Sequence, residues 1–503
     1  MSDRSPRPLP ARPRIAGHVL PRLYIRHATG GEQLVILHDT RSGRRVQMGR
    51  REWGLLAAAD GTRDLDGIVL AAARSGSHAK VAALRGFLEQ LHAAGMLEEG
   101  LEEDAPAAPS PADVAHRPLD PLAGYSLRCD GSGSCCRLYA SVLFSPVEVA
   151  RARSLLPSVL DAGARRSNAF LPEHGSGPCA ASAVALVDGR CVYLAEDGLC
   201  SLHAAGGEGG KPLGCRLFPV TFTDDGVAVR VSVAVECACV LASAELVSGG
   251  APLIPEGAAT RGDLDDAVFV AVVPERVRVT RDRSAPRGEL VAWSRAALDA
   301  VLDPSSAAVD LPAVLWSMAA EIEASGLEVA GVRRAFSAPK GPSFADLTPW
   351  AAALRLRAAR RVDEDSAWRS ERDLARRAAR WLEQSAALLL DSDACEAALR
   401  GDGFARSDGG SAPPSREDRR ISEALYVRAL LHGHHLVEPS GPPLALALRD
   451  RAVRLLLARV MPEAIERIAF EDRDPAERHP LALVEAMLRG HGLESYRRDI
   501  EDY

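Results

Sequence analysis

The apolar run of EQLVILHD (32–39) and the shorter RRVQMG (44–49) flank the turn-like TRSG, so these residues predict a β-hairpin. Directly after it the apolar period is three or four. REWGLLAAA (51–59) stops at Asp60-Gly61, and DLDGIVLAAARSG (64–76) starts from Asp64 as an N-cap. A third helix carries Val81, Leu84, Leu88 and Leu91 on one face and is closed by Gly95. A hairpin and three short helices predict a small winged-helix domain over residues 17–102.

Residues 103–123, EDAPAAPSPADVAHRPLDPLA, have no apolar period and read as an extended tether. In residues 124–245 a helix begins at about Ser145 with Pro146 in its first position, and VAVRVSVAVECACV alternates as a strand. Residues 246–503 carry apolar positions three and four apart in five segments, from ELVAWSRAALDAVLD to LALALRDRAVRLLLARVMPEAIERIAF. The expected fold class is α+β, mostly α. Its parts are a small N-terminal winged-helix domain, an irregular metal-bound cysteine-cluster domain and a C-terminal all-α helical domain.

Composition narrows the function classes. At 503 residues and 47% hydrophobic content the chain has material for about three cores. A net charge of -7 argues against a globally basic nucleic-acid binder, so no nucleic-acid partner is expected. Between Arg355 and Arg380 nine arginines meet five acidic residues, which reads as a solvated, salt-bridged helix face. The first twenty residues hold no apolar stretch suited to a signal peptide, and no uninterrupted apolar run of about 18 residues occurs. The expectation is a cytoplasmic protein with no membrane partner.

Nine of the ten cysteines fall between Cys129 and Cys239. They are Cys129, Cys135, Cys136, Cys179, Cys191, Cys200, Cys215, Cys237 and Cys239, with His203 among them. In a reducing compartment such crowding favours metal coordination over disulfides. Zinc takes four thiolate or imidazole ligands, and an iron–sulfur cluster takes about four cysteines, so the count fits zinc or iron equally. Zinc-ribbon, ferredoxin and radical-enzyme spacings are all missing, and the ligands come from separated turns and strand ends.

Two glycine-rich motifs carry no nucleotide chemistry. GGEGGKP (206–212) fails as a phosphate loop, since Ala205 and Pro212 stand where glycine and Ser/Thr are required, and reads as a flexible connector. No G-x-G-x-x-G follows a strand. LHGHHLVEPSG places His432, His434 and His435 near a helix end, either as a polar terminus or as groups for metal binding or proton transfer.

The order of the cysteine motifs, with CC at 135–136, CVYLAEDGLCSLH and KPLGCRLFP, resembles the YkgJ-type cysteine-cluster family of zinc- or iron-chelating domains. Within it the flagellin lysine-N-methylase branch is the most similar. The resemblance implies metal binding at Cys129, Cys135, Cys136, Cys191, Cys200, Cys215 and Cys237, with Cys179, Cys239 and His203 as further candidates. Ser132 stands where many members have a cysteine. Residues 17–102 resemble PqqD-like domains, which implies a peptide or protein substrate added as a strand beside the hairpin. Two function classes follow. One is a protein-modifying enzyme that methylates lysine, which would require S-adenosylmethionine bound in a non-Rossmann manner. The other is a non-catalytic structural metal or metal-handling module.

Overall fold

In the computed structural model EQLVILHD forms a strand in which Val35, Ile36 and Leu37 are all buried. The structure describes residues 8–16, 19–26, 32–39, 45–74, 77–99, 114–129, 133, 136, 142–156, 169–170, 182–187, 190–244, 248–265, 268–304, 306, 309–363, 383, 386–387, 389, 416–437, 442–460, 481–482 and 484–485. Helix predominates in a mixed α+β chain. The chain forms two compact units, Met1–Ser110 with Gly131–Arg216, and Pro111–Asp130 with Leu217–Tyr503.

The first unit opens with β1 (Pro13–Ile15), β2 (Val19–Arg26), β3 (Glu32–Asp39) and β4 (Arg45–Met48), followed by α1 (Arg50–Leu56), α2 (Leu65–Arg74), α3 (Val81–Ala93) and β5 (Leu97–Glu99). The expected hairpin is β3–β4, with Leu37 opposite Val46. Sequence pattern gives no sign of β2, because Pro21 cannot donate to a ladder and interrupts the alternation, yet β2 pairs with β3 along its whole length. The Asp64 carboxylate accepts the Gly67 amide at 2.9 Å and starts α2. On α3 Leu84, Leu88 and Leu91 are buried, whereas Val81, in the first turn of the helix, is 37% exposed.

Strand β6 (Leu119–Pro121) belongs to the second unit and falls on the last residues of the stretch that reads as a tether. The first unit resumes with β7 (Leu143–Phe144), α4 (Pro146–Leu155), β8 (Ser182–Ala183), β9 (Ala185–Val187), β10 (Arg190–Cys191) and α5 (Ser201–Gly206). Ser145 and Glu148 form a reciprocal capping box at the start of α4, as Ser-Pro-Val-Glu allows. Strand β9 pairs in parallel with β2, so the sheet runs β10-β9-β2-β3-β4. Hydrophobic residues of both stretches share one core, where Phe144, Phe170 and Tyr193 meet with ring centroids 5.0 to 6.2 Å apart. The cysteine block therefore does not fold as a separate body: its part up to Arg216 is built into the sheet of the N-terminal hairpin.

GGEGGKP is no loose connector. Its Glu208–Gly210 segment forms a 3₁₀ turn, with Gly210 buried against the Leu202 carbonyl and the Leu155 side chain. Helix α6 (Leu213–Leu217) follows, and Glu148 of α4 accepts the Leu213 amide at 2.6 Å.

The second unit is built on β11 (Val220–Asp224), β12 (Val229–Val233), α7 (Ala238–Ala242), β13 (Ala271–Val272), β14 (Arg276–Arg278) and β15 (Ser284–Pro286). Its larger sheet runs β13-β11-β12-β6. The strand expected over VAVRVSVAVECACV ends at Val233, because Ala234 and Cys237 close a turn and α7 begins at Ala238. The all-α expectation for residues 246–503 is likewise corrected. Strand β13 pairs with β11, and β14–β15 form a hairpin that buries Val277 and Ala285 before the first long helix.

Helices α8 (Arg287–Leu302), α9 (Leu311–Ser325), α10 (Val329–Ser337), α11 (Phe344–Asp363), α12 (Arg416–His432) and α13 (Leu444–Val460) complete the unit. Helix α12 rests on the sheet, and Ser232 of β12 donates to the Ala429 carbonyl at 2.9 Å. Arg459 of α13 ties α12 to the N-cap of α9, through Glu423 at 2.7 and 2.8 Å and Asp310 at 2.7 Å. Most of the arginine-rich run 355–380 lies outside the described residues. Among the described residues no helix is long and apolar enough to cross a membrane.

Candidate metal centre

Cys191 ends β10 and Cys200 is the N-cap of α5, so these two thiols stand at the two ends of one loop. The loop is closed by backbone bonds. Leu194 donates to the Cys191 carbonyl at 2.9 Å, Gly198 to Ala195 at 3.0 Å and Ser201 to Tyr193 at 2.8 Å. Tyr193 lies beside both cysteines, and burial together with their negative charge when ionised drives its hydroxyl well above the usual phenol range.

Gly133, three residues before Cys136, is seated on that loop. Gly133 has φ +66°, and a Cβ placed there would overlap the Gly198 carbonyl and lie 2.9 Å from Leu194 Cδ1. Only glycine permits this approach, both for its backbone angle and for its missing side chain. The Cys136 amide donates to the Gly133 carbonyl at 3.0 Å, which ties Cys136 to the same glycine. Cys215 sits on α6, whose first amide is fixed by Glu148. His203 is exposed on α5.

Cys129, Cys237 and Cys239 belong to the second unit. Cys237 is the N-cap of α7, and both Cys237 and Cys239 are buried, whereas Cys129 is exposed. Ser243, at the C-cap of α7, bonds the Arg128 amide and carbonyl through its hydroxyl, which brings the segment before Cys129 against this helix. Tyr125 donates to the Val240 carbonyl at 3.0 Å, and burial with Cys237 and Cys239 beside it raises its hydroxyl well above the phenol range.

The described candidates among the ten predicted ligands are divided between the two units. Cys136, Cys191, Cys200, Cys215 and His203 lie in the first unit, and Cys129, Cys237 and Cys239 in the second. Cys135, Cys179 and the departure at Ser132 lie outside the described residues. None of the seven described cysteines of the cluster is in a disulfide. Among the described residues, no three or more His, Cys, Asp and Glu side chains are grouped as a metal site.

The three histidines prove to be a joint between α12 and the sheet. His432 Nε2 donates to the Asp120 carbonyl at 2.9 Å, and His435 Nε2 is hydrogen-bonded to Thr221 Oγ1 at 3.0 Å. Burial lowers both, and with Arg451 and the other histidines nearby His435 falls to about 3. His434 Nε2 stands 3.5 Å from Asp225 Oδ2. Burial opposes the charge of Asp225, but hydrogen bonds from His434, Ala228, Arg230 and Val227 outweigh it and hold the carboxyl well below its usual range. The sequence motif Asp-Asp-Gly-Val marks a turn there but does not disclose this acid as a histidine partner.

Nothing among family models, curated proteins or solved structures matches the chain.

Proposed function

We propose that this chain binds zinc or iron, the latter alone or as an iron–sulfur cluster, through thiolates of its cysteine segment. The supporting observation is the seating of the Gly133–Cys136 turn on the Cys191–Cys200 loop within one compact unit. The donor set suits a thiophilic metal. Cys136, Cys191 and Cys200 would hold it, with Cys135 adjacent in sequence, and Cys215 and Cys179 are further candidates from the same unit. Since the described side chains are not grouped as a metal site, binding would draw them together, and metal affinity would contribute directly to folding. The metal would supply a structural cross-link or, with an open position, Lewis acidity.

Anaerobic purification with measurement of zinc, iron and acid-labile sulfide tests this. Near-stoichiometric metal that is lost in Cys136→Ser and Cys200→Ser supports the reading; a metal-free chain whose stability those substitutions leave unchanged refutes it.

The protein-modifying branch draws on the sheet. Strand β4 is its terminal strand, with β3 as its partner, so its outer edge suits an added peptide strand. In this branch the N-terminal region is a winged-helix, PqqD-like peptide-recognition domain, and S-adenosylmethionine is the methyl donor. Calorimetric titration with S-adenosylmethionine checks the methylase step, and absence of binding removes it.

A further inference from the structure

His434 occupies a backbone position that normally belongs to glycine. Helix α12 ends with the His435 amide bonded to the Leu430 carbonyl at 3.0 Å and the His434 amide to Leu431 at 3.4 Å, a Schellman arrangement in which His434 takes the left-handed place, φ +51°. For a residue with a Cβ that place is strained. The side chain is only 3% exposed. Its Nε2 faces Asp225, while its buried Nδ1 has no hydrogen-bond partner among the described residues. His432 and His435 each have a hydrogen bond that accounts for them; His434 combines strain with an orphaned nitrogen, and such positions concentrate at functional sites.

The surroundings define the ligand. Asp120, Asp224 and Asp225 stand in the sheet and its hairpin turn against Arg230 and Arg117, which pair with them. Arg451 and Arg454 of α13 are balanced by Glu485 and Asp450. Three carboxylates thus oppose two guanidiniums, and burial keeps the flanking His432 and His435 neutral. This balance favours a cation.

We propose that Asp225 and His434 form a proton-accepting dyad for a primary ammonium group. Asp225 orients the ring by accepting from Nε2–H, which leaves Nδ1 as the base. The ammonium gives one proton to Nδ1 and becomes a neutral amine that keeps its lone pair, and Asp225 balances the imidazolium formed. Desolvation in this buried setting lowers the ammonium's hold on its proton. A lysine side chain as the source rests on the protein-modifying reading above, whereas the dyad itself does not.

The test uses the full metal-loaded chain with isotope-labelled histidine rings, observed by NMR at neutral pH, the His434 signal being assigned by its loss in His434→Asn. Nα-acetyl-lysine amide is expected to move the His434 signal, and Nα-acetyl-norleucine amide, which lacks the amine, to leave it in place. A response to n-butylamine as well assigns the site to amines generally; a response to the lysine compound alone assigns it to peptide lysine. Asp225→Asn should abolish the response. His434→Gly should relieve the left-handed strain, so its urea midpoint should equal or exceed wild type with metal content unchanged. No amine response in the metal-loaded chain overturns the dyad alone. Marked loss of stability in both His434→Gly and His434→Asn also overturns it, by showing that the ring serves packing. An amine response in a chain without metal leaves the dyad standing and defeats only the metal reading.

Discussion

A side chain on Gly133 would overlap the carbonyl oxygen of Gly198, so the turn that leads into the CC pair and the loop between Cys191 and Cys200 are in backbone contact. Gly133→Ala should therefore lose stability twice, through the positive φ and through the overlap. Gly95, φ +77° with nothing within 4 Å of a built Cβ, is the control that loses only the first part, about 1 kcal/mol. Urea midpoints of the two variants should separate them, and only Gly133→Ala should lower metal content.

The histidine joint makes the fold acid-sensitive. His435 moves from 6.5 to about 3 on folding, and His432 is also lowered, so the unfolded chain binds more protons than the folded one in between. The His435 contribution is fully present above about 6.5 and declines as pH falls towards 3, by up to about 1.4 kcal/mol per pH unit, and His432 acts in the same direction. Unfolding free energy measured across that range should fall with acidification, and His435→Gln should flatten the slope. A pH-independent stability below 6 would contradict the burial of these rings.

Arg459 is almost buried and is bonded to both Glu423 and Asp310. Arg459→Ala strands the buried Glu423 carboxylate and should cost about 3–5 kcal/mol. The double variant Arg459→Met with Glu423→Leu should recover a large part of that loss in thermal or urea unfolding.

Helix α3 offers a test of facing positions. Leu88 is fully buried and Val81 is not, although both belong to one apolar stripe in the sequence. Leu88→Ala should destabilise by about 2–5 kcal/mol, and Val81→Ala by no more than about 0.5 kcal/mol, as read from equilibrium unfolding.

Local chemistry was legible in the residues themselves. Asp64, Ser145 with Pro146 and Glu148, and Gly95 terminate helices because their side chains, or the lack of one, act within a single turn. The β3–β4 hairpin followed from two short apolar segments about the TRSG turn, and the face of α3 from apolar period. Strand β2 did not, since Pro21 breaks its pattern and one of its two partners, β9, is remote in sequence.

By itself the sequence determined the supply of thiols, their separation on turns and strand ends, and most of the described helices of the second half. The tertiary structure decided which thiols share a body: β9 adds to β2 and draws Cys136, Cys191, Cys200 and Cys215 into the N-terminal unit, while Cys129, Cys237 and Cys239 fall to the other. It also turned three histidines of one motif into three different environments, set by Asp120, Asp225 and Thr221 from strands and turns some two to three hundred residues upstream. The reason is range. Capping and period act over one to four residues, whereas strand addition and the partner of a buried ring depend on chain segments that only folding brings together.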